Sequence, residues 1–223
     1  MKRPRFNQSL IILLTPIILL VLLTPLSCRK KQRETLIYQN DFETNDLAKI
    51  ERGLIDVFFY SSGTNLQTKV LGRYNNGSFV LRLNDLPTHE MIRISFDLNT
   101  HDTWDGNQTG GGADGPDTWQ MNIDGKPEIY TTFSNSTYIQ SYPGTYPSFN
   151  QPKNYGVKDM PGACIWINEN VGTTRYKIEK FIPHNSNTFV LECLDRLVQT
   201  NSPTPMCDES WSIDNITITA VSM

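Results

Sequence analysis

Catalytic signatures are scarce in this sequence. It has three histidines, His89, His101 and His184, and no HExxH pair. It has no Gly-x-Ser-x-Gly elbow and no phosphate-binding glycine loop, which leaves metalloprotease, serine-hydrolase and nucleotide-binding readings without a motif. No window repeats its apolar residues at the helical period, which excludes a helical bundle. Cysteine is rare, with Cys28, Cys164, Cys193 and Cys207. Basic residues are few beyond the start: Lys2, Arg3, Arg5, Arg29, Lys30, Lys31 and Arg33 crowd the first segment, and the remainder is acidic. An acidic domain is a poor match for a phosphate backbone, so nucleic acid is not an expected partner.

The longest apolar run is LIILLTPIILLVLLTPLS, Leu10 to Ser27, behind the basic start. A basic head, an apolar run and a small residue before a break are the parts of a secretory signal. The run is barely long enough to span a membrane, and Pro16 and Pro25 interrupt it. The Leu26-Ser27-Cys28 ending resembles the lipobox of bacterial lipoproteins, with Pro25 standing where that motif usually has leucine. The resemblance implies cleavage after residue 27 and lipidation of Cys28. It also implies an exported protein anchored to the cell envelope, in the outer membrane ahead of the inner. Residues 28–35 then read as a charged tether, lying against anionic headgroups or simply solvated. Residues 36–223 form the domain.

With Cys28 lipidated, three cysteines remain, and export permits a disulfide. Cys193 ends one expected strand and Cys207 precedes the last, so these two are the expected pair. Cys164, in GACIWIN, reads as a buried thiol. Other pairings stay open.

Strict alternation recurs along the domain. FVLRL, MIRISFDL, TWQMNID and FVLEC each place apolar residues on one face, and Arg175 to Glu179 does so more weakly, with Tyr176 and Ile178 inward. In SWSIDNITITAV, Trp211 and Ile213 share one parity while Ile216, Ile218 and Ala220 share the other. A bulge at Asp214-Asn215 would bring both sets to one face. Asn75-Asn76-Gly77, Leu86-Pro87, Asp124-Gly125 and Pro161-Gly162 mark turns. About ten short strands with such turns predict an all-β, two-sheet antiparallel sandwich, with a barrel as the alternative. Residues 135–159 form the one long irregular stretch.

Three motifs carry a family resemblance: YQNDFE at the domain start, LPTHEMIRISFDLNTHDTWDGN with GPDTWQMNIDG and TTFSN in the middle, and DESWSIDNITIT at the end. Together they resemble secreted bacterial concanavalin A-like jelly-roll domains, and the opening and closing motifs resemble those of MAM adhesion domains. The resemblance implies a jelly-roll fold. That fold hosts lectins, adhesion modules and glycosidases alike, so it does not choose a function.

The stretch after Asn99 is rich in oxygen donors. Asp102, Asp105, Asn107, Asp114 and Asp117 lie close together among glycines that let backbone carbonyls turn inward. Calcium takes about six to eight such oxygens, and hard donors favour it over zinc. Hydrated turn residues are the alternative, because Asp, Asn and Gly build turns anyway. A second acidic group could form where Asp41 and Glu43 meet Asp208, Glu209 and Asp214, with Asp214 the strongest metal candidate. Trp104 in the acidic loop and Tyr142 and Tyr146 in the long loop are the expected ligand contacts. Tyr138, Phe149 and Tyr155 add to an aromatic, small-polar composition that suits a binding surface or packs on the sandwich. The Glu-x-Asp-x-Glu pattern of jelly-roll glycosidases is absent, and Glu179 and Glu192 are single acids on separate strands. The expected function is binding of a glycan or a surface protein in adhesion, ahead of a structural envelope role and of catalysis.

Overall fold

The computed structural model describes residues 32–59, 67–110, 115–164, 172–198 and 203–222. The signal segment, Cys28 and Asp114 lie outside the described residues. Among the described residues the chain forms twelve strands and one short helix: β1 Arg33–Asn40, β2 Ile50–Glu51, β3 Ile55–Phe59, β4 Gln67–Tyr74, β5 Ser78–Leu83, β6 Met91–Asp102, β7 Thr118–Ile123, β8 Lys126–Thr132, β9 Val157–Met160, β10 Thr173–Pro183, β11 Phe189–Arg196, α1 Pro205–Asp208 and β12 Glu209–Ser222.

The strands make two antiparallel sheets. A seven-stranded sheet runs β3-β4-β12-β6-β10-β9, with β1 also on β12, and a five-stranded sheet runs β2-β5-β11-β7-β8. The chain passes between the sheets from β4 to β5, β6 and β7, and again from β10 to β11 and β12, the winding of a jelly-roll sandwich. The alternation explains the core. Ile92, Ile94, Phe96 and Leu98 of β6, with Trp211 and Ile213 of the neighbouring β12, face Trp119 and Met121 of β7 and Leu191 and Cys193 of β11, all buried in one cluster.

The bulge in β12 is present. Its register against β6 slips between Asp214 and Thr217, and Asn215 takes φ 54, a left-handed conformation that asparagine tolerates. The slip puts Trp211, Ile213, Ile216, Ile218 and Ala220 all in the core.

Three expectations change, and His101 gains a role. β1 begins at Arg33 and not beyond the tether: Arg33, Glu34 and Thr35 pair with Ser222, Val221 and Ala220, and Glu34 holds Arg93 at 2.8 Å. Charged side chains do not prevent a strand whose backbone is paired and whose charges face solvent. β6 continues past Asn99 to Asp102, because both of its faces are covered there. His101 is a buried strut, with Nδ1 2.8 Å from Thr173 Oγ1 and Nε2 2.8 Å from Ser212 Oγ. Burial, with the charges of Arg73 and Arg175, drives its pKa down to about 3, so the ring stays neutral. The disulfide joins Cys164 to Cys207, not Cys193 to Cys207. Cys193 alternates inward with Phe189 and Leu191 and stays a buried free thiol, its pKa raised by burial.

Candidate metal centre and the loop it braces

The carboxylates of Asp105, Asp117 and Glu209 converge, with one oxygen from each within 4.8 Å of the others. Asp105 follows β6, Asp117 precedes β7, and Glu209 opens β12. Local bonds bring these separate segments together. Thr103 donates its N–H (2.7 Å) and its hydroxyl (2.8 Å) to the Asp208 carbonyl, and its hydroxyl also reaches the Asp208 carboxylate at 2.7 Å. Trp104 Nε1 donates to the Ser210 carbonyl at 2.9 Å. The exit of β6 is thereby stapled to the entry of β12. The turn that follows needs Gly106: its φ is +65°, and a Cβ there would lie 2.3 Å from the Ile139 carbonyl oxygen. The Asp117 N–H donates to Gly106 O at 3.0 Å, which closes the turn over the cluster.

Asp117 is 0% exposed and Glu209 2%, while Asp105 is half-buried. Asp117 Oδ2 accepts the Asp105 N–H at 2.6 Å, and Oδ1 accepts the Val198 N–H at 3.4 Å. Burial pushes the Asp117 pKa up to about 7 against those two donors; the Asp105 charge raises it further and a hydrogen bond with Glu209 lowers it. Three carboxylates this close and this buried repel one another unless protons or a cation lie among them. The donor set is oxygen only and hard, which fits calcium with backbone carbonyls or water completing the shell, and does not fit zinc.

Among the described residues only two of the expected metal residues, Asp105 and Asp117, stand in this cluster. Asp102 does not: at φ 65 it turns to accept the Ala163 N–H at 3.2 Å, and burial raises its pKa to about 7. Asn107 does not, because its side chain is fully engaged: Oδ1 accepts the hydroxyls of Thr132 and Ser141, the latter at 2.7 Å, and Nδ2 donates to Ser148 O at 2.6 Å. Asp214 sits at the bulge, where its Oδ1 accepts the Asn215 N–H at 2.7 Å, about 16 Å along β12 from Glu209. The terminal acidic group does not assemble either. β1 runs antiparallel to β12 with Asn40 opposite Ile216, and Glu43 bonds Thr68 and Lys69. Glu209, weighed only in that terminal group, is the cluster member the sequence placed wrongly.

One of the expected ligand contacts shifts. Trp104 is 0% exposed and meets the edge of Phe133, so it is core and not rim. Tyr142 is half-buried on Phe133 and Tyr176, and Tyr146 stands edge-on to Tyr130 at 6.0 Å. The 135–159 stretch, which contains the start of β9, is mostly irregular but tightly held. Gln140 Oε1 accepts from Ser134 N–H (3.1 Å), Lys153 N–H (3.0 Å) and Tyr176 OH (3.1 Å), and the Gln140 and Asn150 backbones exchange two bonds. Ser141 Oγ accepts the Ser148 N–H at 3.1 Å. On this pinned loop Phe149 is 77% exposed and Tyr155 74%. Asn107 ties the loop to the turn that carries Asp105.

No protein-family model and no curated protein matches the sequence. Among solved structures, dimeric latent PorU from Porphyromonas gingivalis aligns at TM-score 0.40 and 11% identity, over 76% of this chain and 13% of that one. A family GH115 4-O-methyl-α-glucuronidase with specificity for decorated arabinogalactans aligns at 0.38 and 13%, over 82% and 17%. A family 35 carbohydrate binding module from Clostridium thermocellum aligns at 0.34 and 9%, over 85% and 98%. The chain thus spans less than a fifth of the length of the first two.

Proposed function

We propose that this chain is an exported bacterial envelope protein, lipid-anchored through Cys28. Its sandwich displays an aromatic loop that binds glycan, and a divalent cation, calcium, at Asp105, Asp117 and Glu209 braces that loop. The basic head, apolar run and Leu26-Ser27-Cys28 ending support the anchor. The observation that carries the binding reading is the pairing of a pinned loop with the two outward rings of Phe149 and Tyr155. Exposed rings forgo burial worth about 1.5–3 kcal/mol each. A loop that satisfies its own polar groups and still leaves two rings in water is pre-organised for flat apolar surfaces, such as the C–H face of a sugar ring. The cation, when bound, supplies charge neutralisation; the protein supplies the three carboxylates and the Asn107 link from turn to loop.

A glycan array probed with the wild type and with Phe149→Ala/Tyr155→Ala tests this. Retention of a defined set of glycans, lost in the double variant with melting unchanged, is expected. A blank array for the wild type would remove the glycan reading and leave adhesion to a protein.

A further inference from the structure

Three connections of the sandwich meet beside Val221, at the opposite end of β12 from Glu209. The segment between β5 and β6 carries His89, the segment between β10 and β11 carries His184, and the turn between β7 and β8 carries Asp124. Both histidines lie where the chain crosses from one sheet to the other. Backbone bonds gather the three: Leu86 N–H donates to Asn187 O at 3.0 Å, His184 N–H to Glu90 O at 3.0 Å and Asp124 N–H to Val190 O at 2.9 Å. Glu90 N–H donates to Val221 O at 3.0 Å.

The side chains continue as a line of three hydrogen bonds. His89 Nδ1 lies 2.6 Å from Pro87 O, His89 Nε2 lies 2.6 Å from His184 Nδ1, and His184 Nε2 lies 3.1 Å from Asp124 Oδ2. The ring planes are 12° apart, and the centroids stand 4.9 Å apart against 2.6 Å for the facing nitrogens, so these nitrogens point at one another. His89 is 3% exposed and the His184 side chain 5%, with Phe189 edge-on to His184. A carbonyl and a carboxylate only accept, so His89 Nδ1 and His184 Nε2 both carry hydrogen. The two facing nitrogens need one hydrogen more, because bare lone pairs at 2.6 Å repel. The line therefore calls for three hydrogens on four ring nitrogens, one more than two neutral imidazoles hold.

We infer that His89 and His184 share one positive charge, balanced by Asp124, and act as a proton-dependent clasp between the two sheets. Losing that proton empties one of the three bonds. Gaining a second sets two N–H groups against each other. The clasp is complete in one protonation state and opens on either side of it. Asp124 is the carboxylate bonded to the pair, and its Oδ1 accepts the Val190 N–H at 2.9 Å. Asp85 and Glu90 belong to the His89 segment, and Lys126 follows Asp124 at the start of β8. Arg82 and Glu192 line the cleft onto which Asp124 opens, and they are paired with Glu51 and Arg52.

Asp124→Asn separates the charge from the bonds. Its amide oxygen can keep the Val190 N–H, and its amide nitrogen can donate to His184 Nε2, so all three bonds persist with both rings neutral. Nitrogen-15 NMR of the imidazoles in the purified protein is read at pH 7.5, above the ordinary histidine value of about 6.5. Three protonated nitrogens across His89 and His184 are expected in the wild type and two in Asp124→Asn. Amide hydrogen exchange is followed from pH 6 to 9 and corrected for intrinsic exchange. Protection at Leu86, Glu90 and His184 should fall about tenfold further in the wild type than in the variant, the scale of one hydrogen bond. Two protonated nitrogens in the wild type would overturn the inference. So would the same pH dependence of protection in both proteins. If Asp124→Asn melts early, the wild-type nitrogen count decides alone.

Discussion

The backbone N–H of Asp105 donates to the Asp117 carboxylate at 2.6 Å, across the eleven residues that separate them. The two acids thus stand on opposite legs of one turn, with Glu209 delivered from the far end of the sequence. The same turn carries Asn107, which holds the aromatic loop. Acidic cluster, turn and loop are therefore mechanically linked.

Stability without a cation should depend on pH from both sides. Asp102 and Asp117 have folded pKa values of about 7, above the ordinary 3.8. Their contribution is full below about pH 4 and is lost as pH rises toward 7, because the folded state must give up protons it holds favourably. His101 runs the other way. Its folded pKa is about 3 against 6.5, so its contribution is full above pH 6.5 and is lost as pH falls toward 3. Denaturant melts in chelator from pH 4 to 8 should show both limbs, on the order of a few kcal/mol each. His101→Gln should flatten the acid limb; an acid limb unchanged in that variant would assign it to other groups.

Calcium should reverse the alkaline limb. Binding displaces the proton held by Asp117, so the calcium-induced rise in melting temperature should grow from pH 5 to pH 8, with proton release in calorimetry. A rise independent of pH would place the ion elsewhere.

Asn107→Ala removes three side-chain bonds, two to the loop at Ser141 and Ser148 and one to Thr132 of β8. Each is worth about 0.5–1.5 kcal/mol, for a loss of roughly 2–4 kcal/mol. Glycan retention should fall while calcium affinity stays near wild type. A loss of calcium affinity instead would make Asn107 a ligand, as its sequence position suggested.

Non-reducing peptide mapping should recover a Cys164–Cys207 peptide and a Cys193 peptide that alkylates only after unfolding. The disulfide spans 43 residues, and its loss in Cys207→Ser should cost roughly 4 kcal/mol on the chain-entropy model. A Cys193–Cys207 peptide would contradict this pairing.

The sandwich was legible because alternation is local. MIRISFDL and TWQMNID display their buried faces within a few residues, and the parity slip at Asp214-Asn215 marks the bulge. The site was half legible. Asp105 and Asp117 come from the Asp-rich stretch, but Asp, Asn and Gly clusters look alike whether they bind ions or build turns. Glu209 joins them only through the pairing of β6 with β12, a contact no short window carries. Trp104 sits in a polar stretch and still buries completely, because Phe133 and the Ser210 carbonyl take its ring and its N–H. Cys193 alternates like a strand residue, and that inward parity removes it from the disulfide.

Calorimetric titration of the purified protein with calcium, for wild type, Asp117→Asn and Asp214→Asn, tests the metal centre most directly. The side-chain amide oxygen introduced by Asp117→Asn can still accept the Asp105 N–H, and only the long Val198 N–H contact at 3.4 Å is lost, so melting is checked alongside. Saturable binding in wild type and Asp214→Asn, abolished in Asp117→Asn, is the predicted result. No binding in the wild type, or binding lost with Asp214 and kept without Asp117, would contradict the account.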